Sequence, residues 1–271
     1  MSTEETSGVR VAVLGFGEAG GHIAADLRDA GARVRGYDPA APAPAGVQEH
    51  PDEASAVRGA DVVLSVNSAA AAPDALRTGL AGAGHDTVWA DLNTAAPQLK
   101  RQLGETAAAA GVGFVDVALM TPVPGRGLHT PMLTSGDAAE RYAGLLSALG
   151  ASIETLEGPP GRAAERKLLR SVFFKGLAAA VVEALEAGRA AGCEDWLREN
   201  IADELSRSGA DTVRRLVEGS HQHAVRRSHE MAAASDMLTD LGVAPLVSGA
   251  SRDLLERLVE GAESGKRAGT R

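Results

Sequence analysis

Residues 11–27, VAVLGFGEAGGHIAADL, constrain the fold of this chain more than any other stretch, because they place three glycines between an apolar run and an amphipathic segment. The spacing of Gly15, Gly17 and Gly20 is typical of a loop that leaves a strand, turns tightly and packs a helix close to that strand. The first N–H groups of such a helix are unpaired and bind phosphate. The stretch therefore predicts a strand–loop–helix unit that binds a dinucleotide.

An acidic residue supports this interpretation. A second predicted strand, at 33–37, ends at Asp38, which lies 18 residues after Gly20. A carboxylate there accepts hydrogen bonds from the adenine ribose hydroxyls and repels a 2′-phosphate, which favours NAD over NADP. Arg33 and Arg35 flank this position and could weaken the preference for NAD, so NADP is an alternative cofactor. A glycine turn without a ligand, or an FAD site, are the other interpretations of the motif.

The order of segments along the chain indicates the fold class. Short apolar runs alternate with Ala-rich amphipathic segments, which predicts βαβ units and a parallel sheet. We predict strands at 9–14, 33–37, 62–66, 87–90, 113–117, 132–137 and 153–156, and helices at 22–30, 51–58, 73–80 and 97–110. After GPPG at 158–161, the apolar spacing predicts helices only, at 162–191, 194–208, 211–216, 221–241 and 251–260. We expect an α/β protein with a Rossmann-type parallel-sheet domain at 8–160 and an all-α domain at 161–262.

Composition excludes several classes of function. The net charge of −9 argues against a nucleic-acid partner, because phosphate binding needs surplus Lys and Arg. Cys193 is the single cysteine, so we expect no internal disulfide and a reducing, cytoplasmic setting. The N-terminal residues have no basic and apolar pattern of a signal peptide, and no apolar run is long enough to span a membrane, so we expect no membrane partner.

Five segments carry a family resemblance: VLGFGEAGGHIAADLRDAGARVRGYD, VLSVNS, ADLNTAAP, FVDVALMTPVPGRG and GRAAERKLLRSVFFKGLAAAVVEAL. Over about residues 9–258 the chain resembles the β-hydroxyacid dehydrogenase superfamily, which includes 3-hydroxyisobutyrate dehydrogenase and 6-phosphogluconate dehydrogenase. The resemblance implies a homodimer that acts on a small molecule, with NAD as cofactor and NADP possible. It also implies a set of cofactor-binding residues, namely Gly15, Phe16, Gly17, Glu18, Ala19, Gly20, Asp38, Val66, Asn67, Asn93 and His229.

The last of these segments resembles the catalytic-lysine helix of the family. The family lysine precedes a Glu-Ala pair by 16 positions, and counting back from Glu183 gives Lys167 rather than Lys175. The resemblance implies that Lys167 is the general acid/base of hydride transfer, since a lysine in a partly desolvated cleft beside a positive charge has a lowered pKa. The alternative is a lysine on a charged, exposed start of the helix.

The substrate residues of the family are less well matched. The candidates are Met120 and Thr121 in the substrate loop, Asn93 just past a strand, and Arg126, which could pair with an anionic substrate group. A plain loop, a helix cap and an exposed arginine are the respective alternative interpretations. Met120 and Thr121 stand where the family has a Ser-Gly-Gly turn. Ser171 replaces the family asparagine four residues after the lysine and is the second implied catalytic residue, because its hydroxyl can hydrogen-bond a substrate oxygen. His229 replaces a family lysine, so the chain is expected to be a divergent branch.

Two other functions remain open at this point. The first is imine reduction, a chemistry found in relatives of this architecture that usually lack the catalytic lysine. The second is non-catalytic binding of NAD(H), which the altered substrate loop favours. A metal site is not expected, because His221 and His223 would point about 200° apart on one helix, whereas helical metal ligands favour a spacing of four.

Overall fold

The computed structural model describes residues 8–268 of the chain. Its strands are β1 (Arg10–Leu14), β2 (Arg33–Tyr37), β3 (Gln48–Glu49), β4 (Val62–Ser65), β5 (Val88–Asp91), β6 (Gly113–Leu119), β7 (Met132–Ser135) and β8 (Ile153–Thr155). They form one sheet in the order β3-β2-β1-β4-β5-β6-β7-β8. The helices of this part are α1 (Glu18–Asp29), α2 (Glu53–Val57), α3 (Ala72–Gly79), α4 (Pro97–Ala109) and α5 (Ala139–Ser147).

Both faces of the sheet are buried, which explains why its inner strands are almost entirely apolar. Successive side chains of β1 alternate between two cores: Val11 and Val13 lie in one, and Ala12 and Leu14 lie in the other. Trp89 of β5 belongs to the second core and is almost fully buried. Helices cover each face of such a sheet, as the alternation of strands and helices predicted.

One pair of strands departs from the parallel arrangement. β6 and β7 are antiparallel, with Leu119 opposite Met132, whereas the other paired strands of the sheet are parallel. The connection between them, residues 120–131, contains only a short 3-10 turn at Gly127–His129 and returns at the same end of the sheet, so no crossover helix is formed. The predicted α/β class with a Rossmann-type, mostly parallel sheet is confirmed.

The second part of the chain is helical. It contains α6 (Arg162–Ala190), α7 (Glu194–Ser206), α8 (Ala210–Gln222), α9 (Ala224–Asp240) and α10 (Leu246–Ala268). The Glu183 side chain of α6 accepts the backbone N–H groups of Val247 and Ser248 at 2.6 and 2.8 Å, so it caps the start of α10. None of the helices described here combines the length and apolar character needed to cross a bilayer.

The chain divides into two compact units between Arg170 and Ser171, within α6. The domain limits predicted from the sequence, 8–160 and 161–262, place the change at the beginning of α6 instead. They remain a prediction about which parts of the chain fold together.

Three local predictions were wrong. No strand was predicted at β3 and no helix at α5. The predicted helix 221–241 is in fact parts of two helices, because His223, with φ −118° and ψ 24°, ends α8 and precedes α9. His221 and His223 therefore do not share one helix, and the angular argument made from them does not apply.

Candidate active site

The loops that follow β1, β2 and β4 meet at the carboxyl edge of the sheet around a cavity of about 350 Å³. Five residues predicted to bind the cofactor line it: Gly15, Gly17, Asp38, Val66 and Asn67. β1 lies between β2 and β4, at the point where the strand order reverses. Open α/β sheets bind ligands at this point, because the loops on its two sides diverge and leave a crevice.

Two glycines of the first loop are required by close backbone contacts. Gly15 has φ +109°, and a Cβ added there would lie 2.4 Å from the carbonyl oxygen of Val66. A Cβ at Gly20 would lie 2.0 Å from the carbonyl oxygen of Gly15. The tight turn and the close packing of α1 on the strand that the spacing predicted are therefore both present.

Gly17 differs from the other two. No described atom lies within 4 Å of the position that a Cβ would occupy, and its φ of −59° is accessible to any residue. The fold itself does not require glycine here. The open space in front of Gly17 is what a pyrophosphate that approaches the backbone would need.

The start of α1 is suited to an anion. Gly17 is the N-cap residue, and no side chain among the described residues caps the helix. Glu18 and Ala19 follow in the first turn, so their backbone N–H groups point toward the loop. The side chain of Glu18 is exposed. Phe16 is different, because its side chain is buried in the core and its N–H donates to Asp38 Oδ2 at 2.6 Å.

Asp38 lies at the end of β2, at the edge of the cavity. Its Oδ1 accepts the N–H groups of Ala40 and Ala41 at 2.7 and 2.9 Å, in addition to the bond from Phe16 to Oδ2. Partial burial raises the pKa of this carboxyl, but the three backbone hydrogen bonds outweigh it and hold the pKa below the usual value for aspartate. A carboxylate offers about four acceptor positions, so one remains for a ribose hydroxyl.

Arg33 and Arg35, which were candidates to bind the 2′-phosphate of NADP, do not line this cavity. Arg35 donates to the carbonyl oxygen of Arg58, and desolvation together with the charge of Arg10 lowers its pKa. Arg33 pairs in register with Arg10 at the opposite, amino end of the strands. The charged residues that do line the cavity are Asp38, Glu53 and Asp74, all of them acidic.

Lys167 lies close to this edge of the sheet. Its Nζ donates a hydrogen bond to Thr94 Oγ1 at 2.8 Å. The neighbouring Asn93 is buried, and its Nδ2 donates to Asn67 Oδ1 at 3.0 Å. Asn67 in turn lines the dinucleotide cavity, so two hydrogen bonds, connected through the backbone of Asn93 and Thr94, lead from the Lys167 amine to that cavity.

The remaining predicted residues have simpler surroundings. Met120 and Thr121 follow β6 at the same edge of the sheet and are partly buried. Arg126 is exposed and precedes the 3-10 turn. Ser171 lies in α6, and His229 lies exposed in α9, both in the second compact unit. Their roles at the site remain predictions.

Sequence analysis missed a group of buried charges below the site. Lys100 of α4 is 1% exposed and forms ion pairs with Asp91 at 2.6 Å and Asp116 at 3.1 Å, which are equally buried. The low lysine content of the chain was the available signal, since Lys100 is one of only four lysines. Among the described residues, no group of three or more His, Cys, Asp or Glu side chains is arranged to hold a metal ion.

Comparison with known proteins places these features in context. Residues 10–155 match the family model of the NAD binding domain of 6-phosphogluconate dehydrogenase, and residues 189–258 match a domain of unknown function (DUF1932). The 3-hydroxyisobutyrate dehydrogenase of Pseudomonas aeruginosa is 30% identical over 208 residues, which cover 72% of this chain and 70% of the relative.

Two solved structures have similar folds. The first is a conserved protein of unknown function, reported as structurally similar to 3-hydroxyacid dehydrogenases. It is 28% identical with a TM-score of 0.61, and the match covers 95% of this chain and 99% of that protein. The second is the imine reductase of Myxococcus stipitatus in complex with NADP+, which is 18% identical with a TM-score of 0.78 over 93% of this chain and 94% of that one. The second likeness concerns the fold alone.

Proposed function

Because this chain belongs to the β-hydroxyacid dehydrogenase superfamily and carries its NAD(P)-binding domain, we propose that it interconverts a small hydroxy acid, or a related polar alcohol, with the corresponding carbonyl compound. The observation that carries the proposal is the hydrogen bond between Lys167 Nζ and Thr94 Oγ1, at the edge of the sheet that holds the dinucleotide cavity. An amine at this place can serve the proton transfer that alcohol oxidation requires.

The residues present fit a nicotinamide dinucleotide. The open space at Gly17, the uncapped start of α1 and the adjacent cavity would receive the pyrophosphate and adenosine, and Asn67 and Asn93 extend the polar surface toward Lys167. NAD(P), when bound, supplies or accepts the hydride. The chain itself binds and orients both reactants and moves the proton.

Lys167 is the proposed general acid/base. In the oxidation direction, the neutral amine takes the proton of the substrate hydroxyl; in the reduction direction, the ammonium returns a proton to the carbonyl oxygen. Thr94 Oγ1 accepts a hydrogen bond from Lys167 Nζ and so fixes the direction of the amine. Asn93, Met120, Thr121, Arg126 and Ser171 are proposed to contact the substrate, and His229 to contact the cofactor.

Imine reduction is the second candidate, and the overall likeness to imine reductases is the observation that favours it. An iminium ion already carries a positive charge, so hydride addition to its carbon gives the amine without a further proton. Reduction of an iminium ion therefore does not require a lysine as proton donor. The presence of Lys167 in contact with Thr94 therefore favours carbonyl chemistry.

The decisive assay measures NADH and NADPH oxidation with a panel of small 2- and 3-keto acids and semialdehydes, and separately with cyclic imines. We expect turnover with at least one carbonyl compound, and no more than a few per cent of that rate with the imines. Turnover with imines alone would replace the proposal by imine reduction. Tight binding of NADH without turnover on either panel would indicate a non-catalytic dinucleotide-binding protein.

We propose that NAD is preferred over NADP. Asp38 is ionised at neutral pH, since backbone hydrogen bonds hold its pKa below that of a free aspartate, and Glu53 and Asp74 line the same cavity. A 2′-phosphate would meet these negative charges without an arginine to neutralise it. The ratio of kcat/KM for NADH to that for NADPH is expected to exceed about 10, a free-energy difference of 1.4 kcal/mol. A ratio below 1 would contradict the proposal.

We also propose that the chain forms a homodimer. The exposed large apolar side chains of the described residues all lie at position 168 or later, and they include Val172, Phe173, Trp196, Val213 and Leu246. Apolar surface of this extent in one part of a chain usually marks an interface. Light scattering is expected to give twice the chain mass of 27.7 kDa. A mass equal to one chain at micromolar concentration would refute the dimer.

A further inference from the structure

Lys100 stands out because its charge is fully buried and fully paired. Its Nζ donates to the carbonyl oxygen of Asp91 at 2.8 Å and to Asp91 Oδ1 at 2.6 Å, and lies 3.1 Å from Asp116 Oδ1. Asp91 therefore accepts two hydrogen bonds from this ammonium, whereas Asp116 Oδ1 lies at ion-pair distance without forming a hydrogen bond. Asp91 and Asp116 belong to neighbouring strands, β5 and β6, and Lys100 comes from the helix between them.

The two carboxylates hold different parts of the proposed active site. Asp91 accepts the backbone N–H of Asn93 at 3.1 Å through Oδ1 and the side-chain Nδ2 of Asn93 at 3.0 Å through Oδ2. Asp116 Oδ2 accepts the backbone N–H groups of Gly161 and Ala164 at 3.0 and 2.9 Å. Asp91 thus fixes the loop that contains Thr94, whereas Asp116 fixes the beginning of α6.

We propose that Lys100 is a positioning residue, which ties the Asn93–Thr94 loop to the first turn of α6 through Asp91 and Asp116, and so sets the place of the Lys167 amine. The inference rests on the proposed function of Lys167. Thr94 follows Asn93 directly, and Lys167 lies three residues after Ala164, so the 2.8 Å contact between their side chains joins the two parts that Lys100 ties together. A displacement of about 1 Å in such a contact is enough to reduce catalysis about 100-fold.

Stability alone does not require this arrangement. Replacing a buried ion pair by well-packed apolar residues is often neutral or stabilising, whereas removing only one partner is strongly destabilising, because it leaves a buried charge unpaired. A core in which Lys100, Asp91 and Asp116 were all apolar would bury these strands equally well. It would lack the carboxylate acceptors that now bind the backbone N–H groups of Asn93, Gly161 and Ala164.

The first test compares Lys100→Met with the double variant Lys100→Met/Asp116→Asn. The single variant leaves two carboxylates without a cation, so both its Tm and its turnover are expected to be lower than those of wild type. The double variant removes one of these charges, and the new amide oxygen still accepts an N–H group at the start of α6. We expect its Tm to lie above that of the single variant, because only Asp91 then lacks a cation, its kcat to stay at least about 10-fold below wild type, and its Kd for NADH to change less than about 3-fold.

The matched control is Lys175→Met, which removes an exposed lysine of α6. It is expected to leave Tm, kcat and NADH binding unchanged. If the double variant regains full kcat together with its Tm, then the buried charges serve stability only and the inference is wrong.

A second measurement does not depend on turnover. Acetic anhydride at limiting concentration acylates the amines of the unliganded protein, and mass spectrometry gives the rate at Lys167 relative to Lys175 in the same chain. We expect this ratio to change at least about 3-fold in the double variant, because the Lys167 amine loses its fixed contact with Thr94. Equal ratios would overturn the inference. A changed ratio in a chain that turns over no substrate would retain the inference and reject the proposed function.

Discussion

Lys167→Met is expected to reduce kcat by about 10²- to 10⁴-fold, the range that general acid–base catalysis contributes, with the Kd for NADH within about 3-fold of wild type. The amine is the proposed proton donor and acceptor, and its Nζ contacts Thr94, which does not line the dinucleotide cavity. The loss should therefore appear in the chemical step. Single-turnover kinetics with saturating NADH measure that step, and fluorescence titration measures the Kd.

Lys175→Met is the matched control, because it removes the same group from the same helix eight residues further on. It is expected to retain kcat within about 2-fold. The family spacing assigned catalysis to Lys167, and the reverse result, a loss at Lys175 with retention at Lys167, would show that the assignment is off by two helical turns.

Gly17→Ala is expected to weaken NADH binding at least about 10-fold while leaving Tm within about 2 °C of wild type. The added methyl group meets no described atom of the protein, and φ at this position is −59°, so the folded chain accommodates it. The same methyl group occupies space that the pyrophosphate needs for its approach to the backbone. Calorimetric titration with NADH and a thermal melt of the unliganded protein measure the two effects.

Two further glycine variants serve as controls for Gly17→Ala. Gly20→Ala forces a Cβ to within 2.0 Å of the Gly15 carbonyl oxygen, so it is expected to lower both Tm and affinity. Gly144→Ala, in α5, meets no described atom and is expected to raise stability by about 0.5–1 kcal/mol without changing affinity. Unchanged NADH affinity in Gly17→Ala would mean that the dinucleotide does not approach this loop.

The strand–loop–helix unit was predictable from sequence because backbone sterics dictate it. Gly15 has a φ of +109°, and a carbonyl oxygen lies 2.0 Å from the Cβ position at Gly20. Only glycine is tolerated at these two positions, so both glycines are visible in the sequence. The long helix α6 was equally predictable, since a run of about 30 residues without proline and with helical apolar spacing has few alternatives.

Other features leave no local mark on the sequence. No glycine or proline marks the break at His223, so periodicity alone continued the helix through it. The antiparallel β7 has the composition of any buried strand, and its direction depends on the path of residues 120–131. The Lys100 group joins residues 91, 100 and 116, which meet only when β5, α4 and β6 pack together. Long-range contacts of this kind are invisible to a local pattern.

The buried ion cluster also has an evolutionary consequence. A neutral residue at position 100 leaves two buried carboxylates without a cation, so this single substitution is disfavoured unless the acids at positions 91 and 116 change too. The three positions should therefore drift as one epistatic unit. Homologues with a neutral residue aligned to Lys100 are therefore expected to have replaced both acids as well. A library that randomises all three positions at once should contain stable variants that are absent from libraries of each position alone.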